Sequence, residues 1–249
     1  MEFISDDLAR KLENGSLKGD PFSILGMHEA LNRKGLFIRT IQPQAKSIEV
    51  LNKNGKSYGQ MTSIFGGIWQ LDLPKQKDFF EYTFKITLHD NSTYEIEDPY
   101  RFLPVLGDMD LYLFGEGQHW EIYKKLGAHL ITHQGVQGVS FAVWAPNASR
   151  VSVVGSFNNW DGRRHLMRPR GSSGIWEIFI PGLHEWDIYK YELLDKDGRL
   201  LPLKADPYGF VCEVRPKTGS LVYDIASYTW HDKQWMQKRS QNTNSARNN

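Results

Sequence analysis

The sequence holds a single cysteine, Cys212, in 249 residues. No disulfide can therefore form within the chain, and a reducing cytoplasm is the expected compartment. It also lacks an excess of either charge: 30 Lys and Arg stand against 29 Asp and Glu, a net charge of +1. A balance of that kind does not mark a nucleic-acid-seeking protein. No apolar run approaches the roughly 20 residues that cross a bilayer. The start, Met1 to Asp7, is acidic and lacks the basic flank and apolar run of a signal peptide. The expectation is a soluble protein with no membrane partner.

Motifs of chemistry are missing as well. No glycine-rich phosphate loop follows a strand, and Gly115-Glu116-Gly117 lacks the rest of a dinucleotide fingerprint. No Gly-x-Ser-x-Gly elbow is present, and Cys212 has no activating partner nearby in sequence. His129 and His133 are four apart without a third zinc ligand, which assigns both to packing or surface. These absences predict no catalytic residue, no metal and no cofactor.

What is present is a core. The composition is 40% hydrophobic and 13% aromatic, with 8 Trp and 11 Tyr, in a length that suits two ordinary domains. Ser5 to Asn14 reads as a short amphipathic helix: Ser5 caps it, Asp6 and Asp7 suit its first turn, and Gly15 ends it. Ile4, Leu8 and Leu12 share one face. From Asp20 the period changes to that of short strands, at Leu36 to Ile41, Ser47 to Leu51, Ile68 to Leu73 and Phe80 to Leu88. In the third of these, Trp69, Leu71 and Leu73 face inward while Gln70 and Asp72 face outward.

The pattern then recurs. Pro43 to Val50 answers Pro146 to Val153, and Gly67 to Pro74 answers Gly174 to Pro181. Tyr82 to Ile86 answers Tyr189 to Leu193, and Asp98-Pro99-Tyr100 answers Asp206-Pro207-Tyr208. The offsets are 103, 107, 107 and 108 residues, which is the signature of a duplicated domain. The fold class expected is all-β: two tandem immunoglobulin-like β-sandwich modules with a short N-terminal helix and a disordered C-terminal tail. The divisions are 1–19 for the helical segment, 20–104 for the first module, 105–117 for a linker, 118–226 for the second module, and 227–249 for a junction and tail. A short helix is expected over His119 to Lys125.

The drift in offset falls between the first two matches, and that interval contains Val151 to Arg164. Here a buried strand breaks at Gly155 into Ser-Phe-Asn-Asn-Trp-Asp-Gly, with Trp160 at the tip. An indole beside amides suits a sugar ring, which has an apolar face and a polar edge. The other reading folds Trp160 back on its own sheet or beneath a neighbouring domain. Since the first copy lacks this turn, the comparison favours a function for Trp160. Trp69 and Trp176 occupy matched inward positions and are assigned to the cores, as is Trp144 in the strand Phe141 to Ala145. Arg163, Arg164, Arg168 and Arg170, with His165, form the one local basic patch, read as a solvated loop or an interdomain contact.

Taken together, several segments resemble the N-terminal half of bacterial 1,4-α-glucan branching enzymes. They are Asp20 to His28, Asp98 to Phe102, Leu126 to His129, Phe141 to Ala148, Phe157 to Arg163, Asp206 to Phe210 and the Trp230 to Trp235 junction. The second module resembles the starch- and glycogen-binding module shared with isoamylases and with kinase β-subunits. The resemblance implies that a (β/α)₈ barrel carries catalysis: a retaining transfer using two carboxyl groups about 5 Å apart. Those residues would lie beyond Arg239, where this sequence turns polar, so none is carried over. It further implies α-1,4-glucan (glycogen, maltooligosaccharides) and a barrel domain as partners. Trp160 and Lys190 are the implied glucan contacts, with amide help from Asn158 or Asn159. The second stacking Trp of the kinase pattern falls at Leu200, so that cradle is incomplete. Two alternatives stay open: a stand-alone glucan-binding or interaction module, and a purely structural sandwich pair. Uncovered apolar surface is expected near Ile4, Leu8 and Leu12 or near Trp230 and Trp235.

Overall fold

The structure, a computed structural model, describes residues 4–30 and 35–242. Helix α1 (Asp6–Glu13) is capped by the Ser5 side chain, which accepts from the Leu8 N–H. Eight strands follow: β1 (Gly26–Glu29), β2 (Leu36–Ile41), β3 (Ala45–Asn52), β4 (Ser57–Gln60), β5 (Thr62–Phe65), β6 (Ile68–Leu73), β7 (Tyr82–Leu88) and β8 (Thr93–Glu97). Helix α2 (Asp108–Gly115) then leads to a second set. This comprises β9 (Gly127–His133), β10 (Val136–Trp144), β11 (Ala148–Gly155), β12 (Arg168–Pro169), β13 (Ile175–Pro181), β14 (Ile188–Asp195), β15 (Val211–Cys212) and β16 (Ser220–Leu221). Helix α3 (Lys233–Asn242) closes the described chain.

Each set forms an antiparallel sandwich. The first pairs sheet β1-β2-β6-β5 with sheet β4-β3-β7-β8, and the second pairs β9-β10-β13-β12 with β11-β14-β16-β15. The inward faces make separate cores. Ile48, Val50, Trp69, Phe84 and Ile86 belong to the first, and Val151, Val153, Trp176, Tyr189 and Tyr191 to the second.

The duplication extends to single hydrogen bonds. Trp69 Nε1 donates to the Gln42 carbonyl at 3.2 Å, and Trp176 Nε1 to the Ala145 carbonyl at 3.1 Å. The Tyr82 hydroxyl donates to Asp98 at 2.6 Å, and that of Tyr189 to Asp206 at 2.7 Å. A buried carboxylate needs such donors, and in both copies a backbone N–H two residues on supplies another. Gly67 and Gly174 also match for a reason. Both have positive φ, 86° and 75°, and a Cβ on either would press into Pro43 or Pro146.

The helices are duplicated too, and the segment 105–117, expected as a linker, contains helix α2. Helix α1 covers Ile41 and Ile68 on the outer face of β2 and β6, while α2 and its flanks cover Ala142 and Ile175 on β10 and β13. The signal in α2 was hidden because Met109, Leu111, Tyr112, Leu113 and Phe114 leave no polar stripe to give a helical period. The helix expected over His119 to Lys125 is a single 3₁₀ turn, Ile122–Lys124.

The uncovered apolar surface expected near Ile4, Leu8 and Leu12 or near Trp230 and Trp235 falls at the second place: Trp230 and Trp235 are exposed, while Ile4 and Leu12 lie buried against this chain's own Ile41, Ile68 and Leu166. Two further expectations are corrected. Trp144 is 52% exposed at the end of β10, edge-on to Phe114 of α2, and is not core. In the tail, Ser240 to Asn242 continue α3, whose Lys, Gln and Arg residues are good helix formers. The remainder of the expected disordered tail, 243–249, lies outside the described residues.

Candidate functional site

Strand β11 ends at Gly155 in one 3₁₀ turn, Ser156–Asn158, and then reverses through two left-handed residues, Asn159 (φ 56°) and Trp160 (φ 57°). Asparagine tolerates this region; for tryptophan it is uncommon and must be held by the surroundings. Asn158 does the holding. Its Oδ1 accepts from Gly155 N–H at 3.0 Å, and its Nδ2 lies 2.8 Å from both the Val153 carbonyl and His165 Nδ1. The residue is 0% exposed. Asn158 is therefore the internal brace of the turn, which corrects its assignment as a glucan contact. Burial, with Arg164 beside it, pushes the His165 imidazole down to about 3, so the ring stays neutral.

Asn159 points its amide elsewhere. Its Nδ2 donates to Gln44 Oε1 of the first module at 2.9 Å. The basic patch after it joins the modules. Arg163 donates to the Glu13 carbonyl at 3.0 Å and Arg170 to the Leu106 carbonyl at 2.7 Å, while Arg168 donates to the Phe102 carbonyl. Of the two readings of this patch, the interdomain contact holds.

Trp160 is 41% exposed and lines a depression of about 390 Å³ on the opposite side of the turn. Leu200, 63% exposed, lines the same depression, as do Leu194 and Glu192. Part of the remaining wall is the segment that ends the N-terminal helix, Asn14 to Ser16. Arg150 holds that wall by donating to the Gly15 carbonyl and to Glu192. Burial acts to raise the Asp161 pKa, but the Arg163 guanidinium outweighs it and holds the carboxyl below its usual range. The rim is thus ionised and fixed. Sequence reasoning missed Asn14 to Ser16, Arg150 and Glu192. No local motif marks them, since Arg150 and Gly15 are 135 residues apart.

Lys190 does not line the depression. It stands two residues from Glu192 on β14, on the same sheet face, and its Nζ donates to Thr218 Oγ1 at 2.7 Å. The structure thus brings Trp160 and Leu200 together and leaves Lys190 alongside. Among the described residues no cluster of ligating side chains could hold a metal. Among the same residues no helix is long and apolar enough to cross a membrane.

The chain is thus a tandem β-sandwich with an aromatic depression in its second unit. Residues 125–209 match the family model of carbohydrate-binding module 48, the isoamylase N-terminal domain. Residues 6–100 match that of the alpha-1,4-glucan branching enzyme GlgB N-terminal domain. Curated relatives are 1,4-alpha-glucan branching enzymes. That of Roseobacter denitrificans is 49% identical over 239 residues, 95% of this chain and 32% of the relative. That of Paramagnetospirillum magneticum is 51% identical over 218 residues, 88% of this chain and 29% of the relative. That of Rubrobacter xylanophilus is 49% identical over 221 residues, 88% and 30% respectively. The chain carries the N-terminal region of the 1,4-α-glucan branching enzyme family. It spans about a third of the length of the relatives it matches.

Proposed function

We propose that this chain is the non-catalytic, glucan-binding part of a cytoplasmic glycogen branching enzyme. On this reading it holds α-1,4-glucan while a barrel domain, supplied outside the residues described here, transfers chain segments into α-1,6 branches. The observation that carries the reading is Trp160 and Leu200 lining one depression. A glucose ring lies with its apolar face on the indole and an adjoining ring rests on Leu200. Glu192 and, one pleat repeat along β14, Lys190 accept and donate at the hydroxyl edge. A leucine in place of a second flat ring gives less contact, so the affinity is weak, near millimolar, about −4 kcal/mol. Co-sedimentation with glycogen tests this. The chain is expected in the pellet, released by maltoheptaose, and absent from a cellulose pellet. Equal retention on cellulose, or none on glycogen, counts against the reading. Incubation with amylose is expected to leave iodine staining unchanged, because no pair of catalytic carboxyls is assigned to this chain; a fall in staining with new α-1,6 linkages contradicts it.

A further inference from the structure

The turn that carries Trp160 has a second face. Opposite the Trp160 depression, the two modules enclose a cleft of about 630 Å³, within the size range of small-ligand sites. Its wall includes the Asn159–Gln44 amide bridge, Gln137, the half-buried rings of Tyr94 and Phe157, and the Arg164 guanidinium. Arg164 is the unusual member. Its Nε is buried and without a hydrogen-bond partner among the described residues; Arg168 Nε is unpaired too, but Arg168, like Arg163 and Arg170, still donates through its terminal guanidinium nitrogens. A buried guanidinium N–H left unmade is costly, and a ligand or trapped water that accepts from the group offsets that cost.

The charge of the cleft selects among ligands. Arg164 is its one cation, whereas Glu95 and Glu97 both line it, with Glu97 already bonded to Arg101 at 2.8 Å. Two carboxylates against one guanidinium disfavour a phosphate or other anion. Amides, carboxylates and a guanidinium beside two aromatic rings suit a neutral polyol that donates and accepts at its edge and offers an apolar face. His165 lies in the same wall and is held neutral by burial, so it adds no positive charge at physiological pH.

We propose that this inter-module cleft is a second α-glucan site, taking a short segment of two or three sugar units, with Arg164 as its principal donor. The ligand class rests on the glucan reading above, but the residues are different. A chain engaged at both faces of one turn is held by two weak contacts acting together, which raises retention on a branched polymer without a tight single site.

Amide chemical shifts of the ¹⁵N-labelled chain, titrated separately with maltotriose and inorganic phosphate, test the proposal. In the wild type, maltotriose is expected to shift Gln44, Asn159 and Gly182 as well as Trp160. In Trp160→Ala the cleft shifts persist, with an apparent Kd changed less than twofold. In Arg164→Met the cleft response weakens at least fivefold while the Trp160 response is unchanged. Gln137→Trp, an exposed position that fills the cleft, serves if Arg164→Met does not fold, and is expected to weaken the same response. The proposal is overturned if maltotriose leaves the cleft amides unmoved, if their shifts vanish with Trp160→Ala, or if phosphate alone moves them. Loss of the Trp160 response with the cleft response intact overturns the Trp160 reading and leaves this one standing.

Discussion

Asn159 Nδ2 donates to Gln44 Oε1 at 2.9 Å, joining the second module's turn to the first module across 115 residues of sequence. This bond explains why only the second copy has the turn. In the first copy β3 runs into a hairpin with β4, whereas in the second β11 runs into a loop that docks on its neighbour. The turn's presence in a single copy thus has a role in assembly. Asn159 joins the modules, Asn158 braces the turn from within, and Trp160 stays partly exposed.

Asn158→Ala removes an acceptor from Gly155 N–H and donors from the Val153 carbonyl and His165 Nδ1, all inside the protein. The expected loss is about 2–4 kcal/mol in urea unfolding, since orphaned buried groups cost more than a lost bond. Gln44→Ala breaks only an exposed amide pair and is expected to cost less than about 1 kcal/mol. Similar losses for the two variants contradict the brace role of Asn158.

Acid is expected to weaken the protein through His165. Its folded pKa, about 3, lies below its ordinary value of 6.5, so the unfolded chain takes up the proton first. The stabilising contribution is complete above pH 6.5 and is lost as pH falls toward 3. Asp98 acts in the opposite sense. Burial raises its carboxyl to about 6, partly offset by the Tyr82 hydroxyl, so its contribution declines as pH rises from about 4 to 6. Stability against pH for His165→Asn is expected to lose the acid slope, and for Asp98→Asn to steepen it. Profiles parallel to the wild type contradict both assignments.

Leu12 of α1 is fully buried beneath both modules' edges, against Ile41, Ile68 and Leu166. Leu12→Ala is expected to cost about 2–5 kcal/mol through the cavity it leaves. Because α1 ends in the wall of the Trp160 depression, the variant is also expected to weaken glucan binding. Calorimetric unfolding and glycogen co-sedimentation measure the two effects; a change below about 1 kcal/mol contradicts the docking of α1.

Leu200→Trp restores a second flat ring beside Trp160. Maltoheptaose binding is expected to tighten by about 1 kcal/mol, roughly fivefold, without loss of stability, since Leu200 is exposed. Fluorescence titration checks it, and unchanged affinity contradicts the shared depression.

The sandwich pair was legible because its strands alternate and because the matched Gly, Trp, Tyr and Asp positions each have a fixed structural duty. Trp69 and Trp176 both bond a carbonyl beside the core, so their spacing survives in sequence. Helix α2 was not legible, because an almost wholly apolar segment between two modules carries no period. The division of labour within Asn158-Asn159-Trp160 was also hidden. Adjacent residues of one turn face the interior, the neighbouring module and solvent, and only their tertiary partners distinguish them. The N-terminal wall at Asn14 to Ser16 was hidden for the same reason: it reaches the site through Arg150 and Arg163, far along the chain.

The central claim is that Trp160 binds α-1,4-glucan, and an NMR titration of the chain with maltoheptaose, in wild type and Trp160→Ala, tests it most directly. The wild type is expected to bind near the millimolar range, with the largest shifts at Trp160, Leu200 and Gly198. Trp160→Ala, confirmed as folded by its amide spectrum, is expected to lose those shifts and at least tenfold in affinity at that depression. A folded Trp160→Ala chain that shows the same shifts at the same ligand concentrations contradicts the claim.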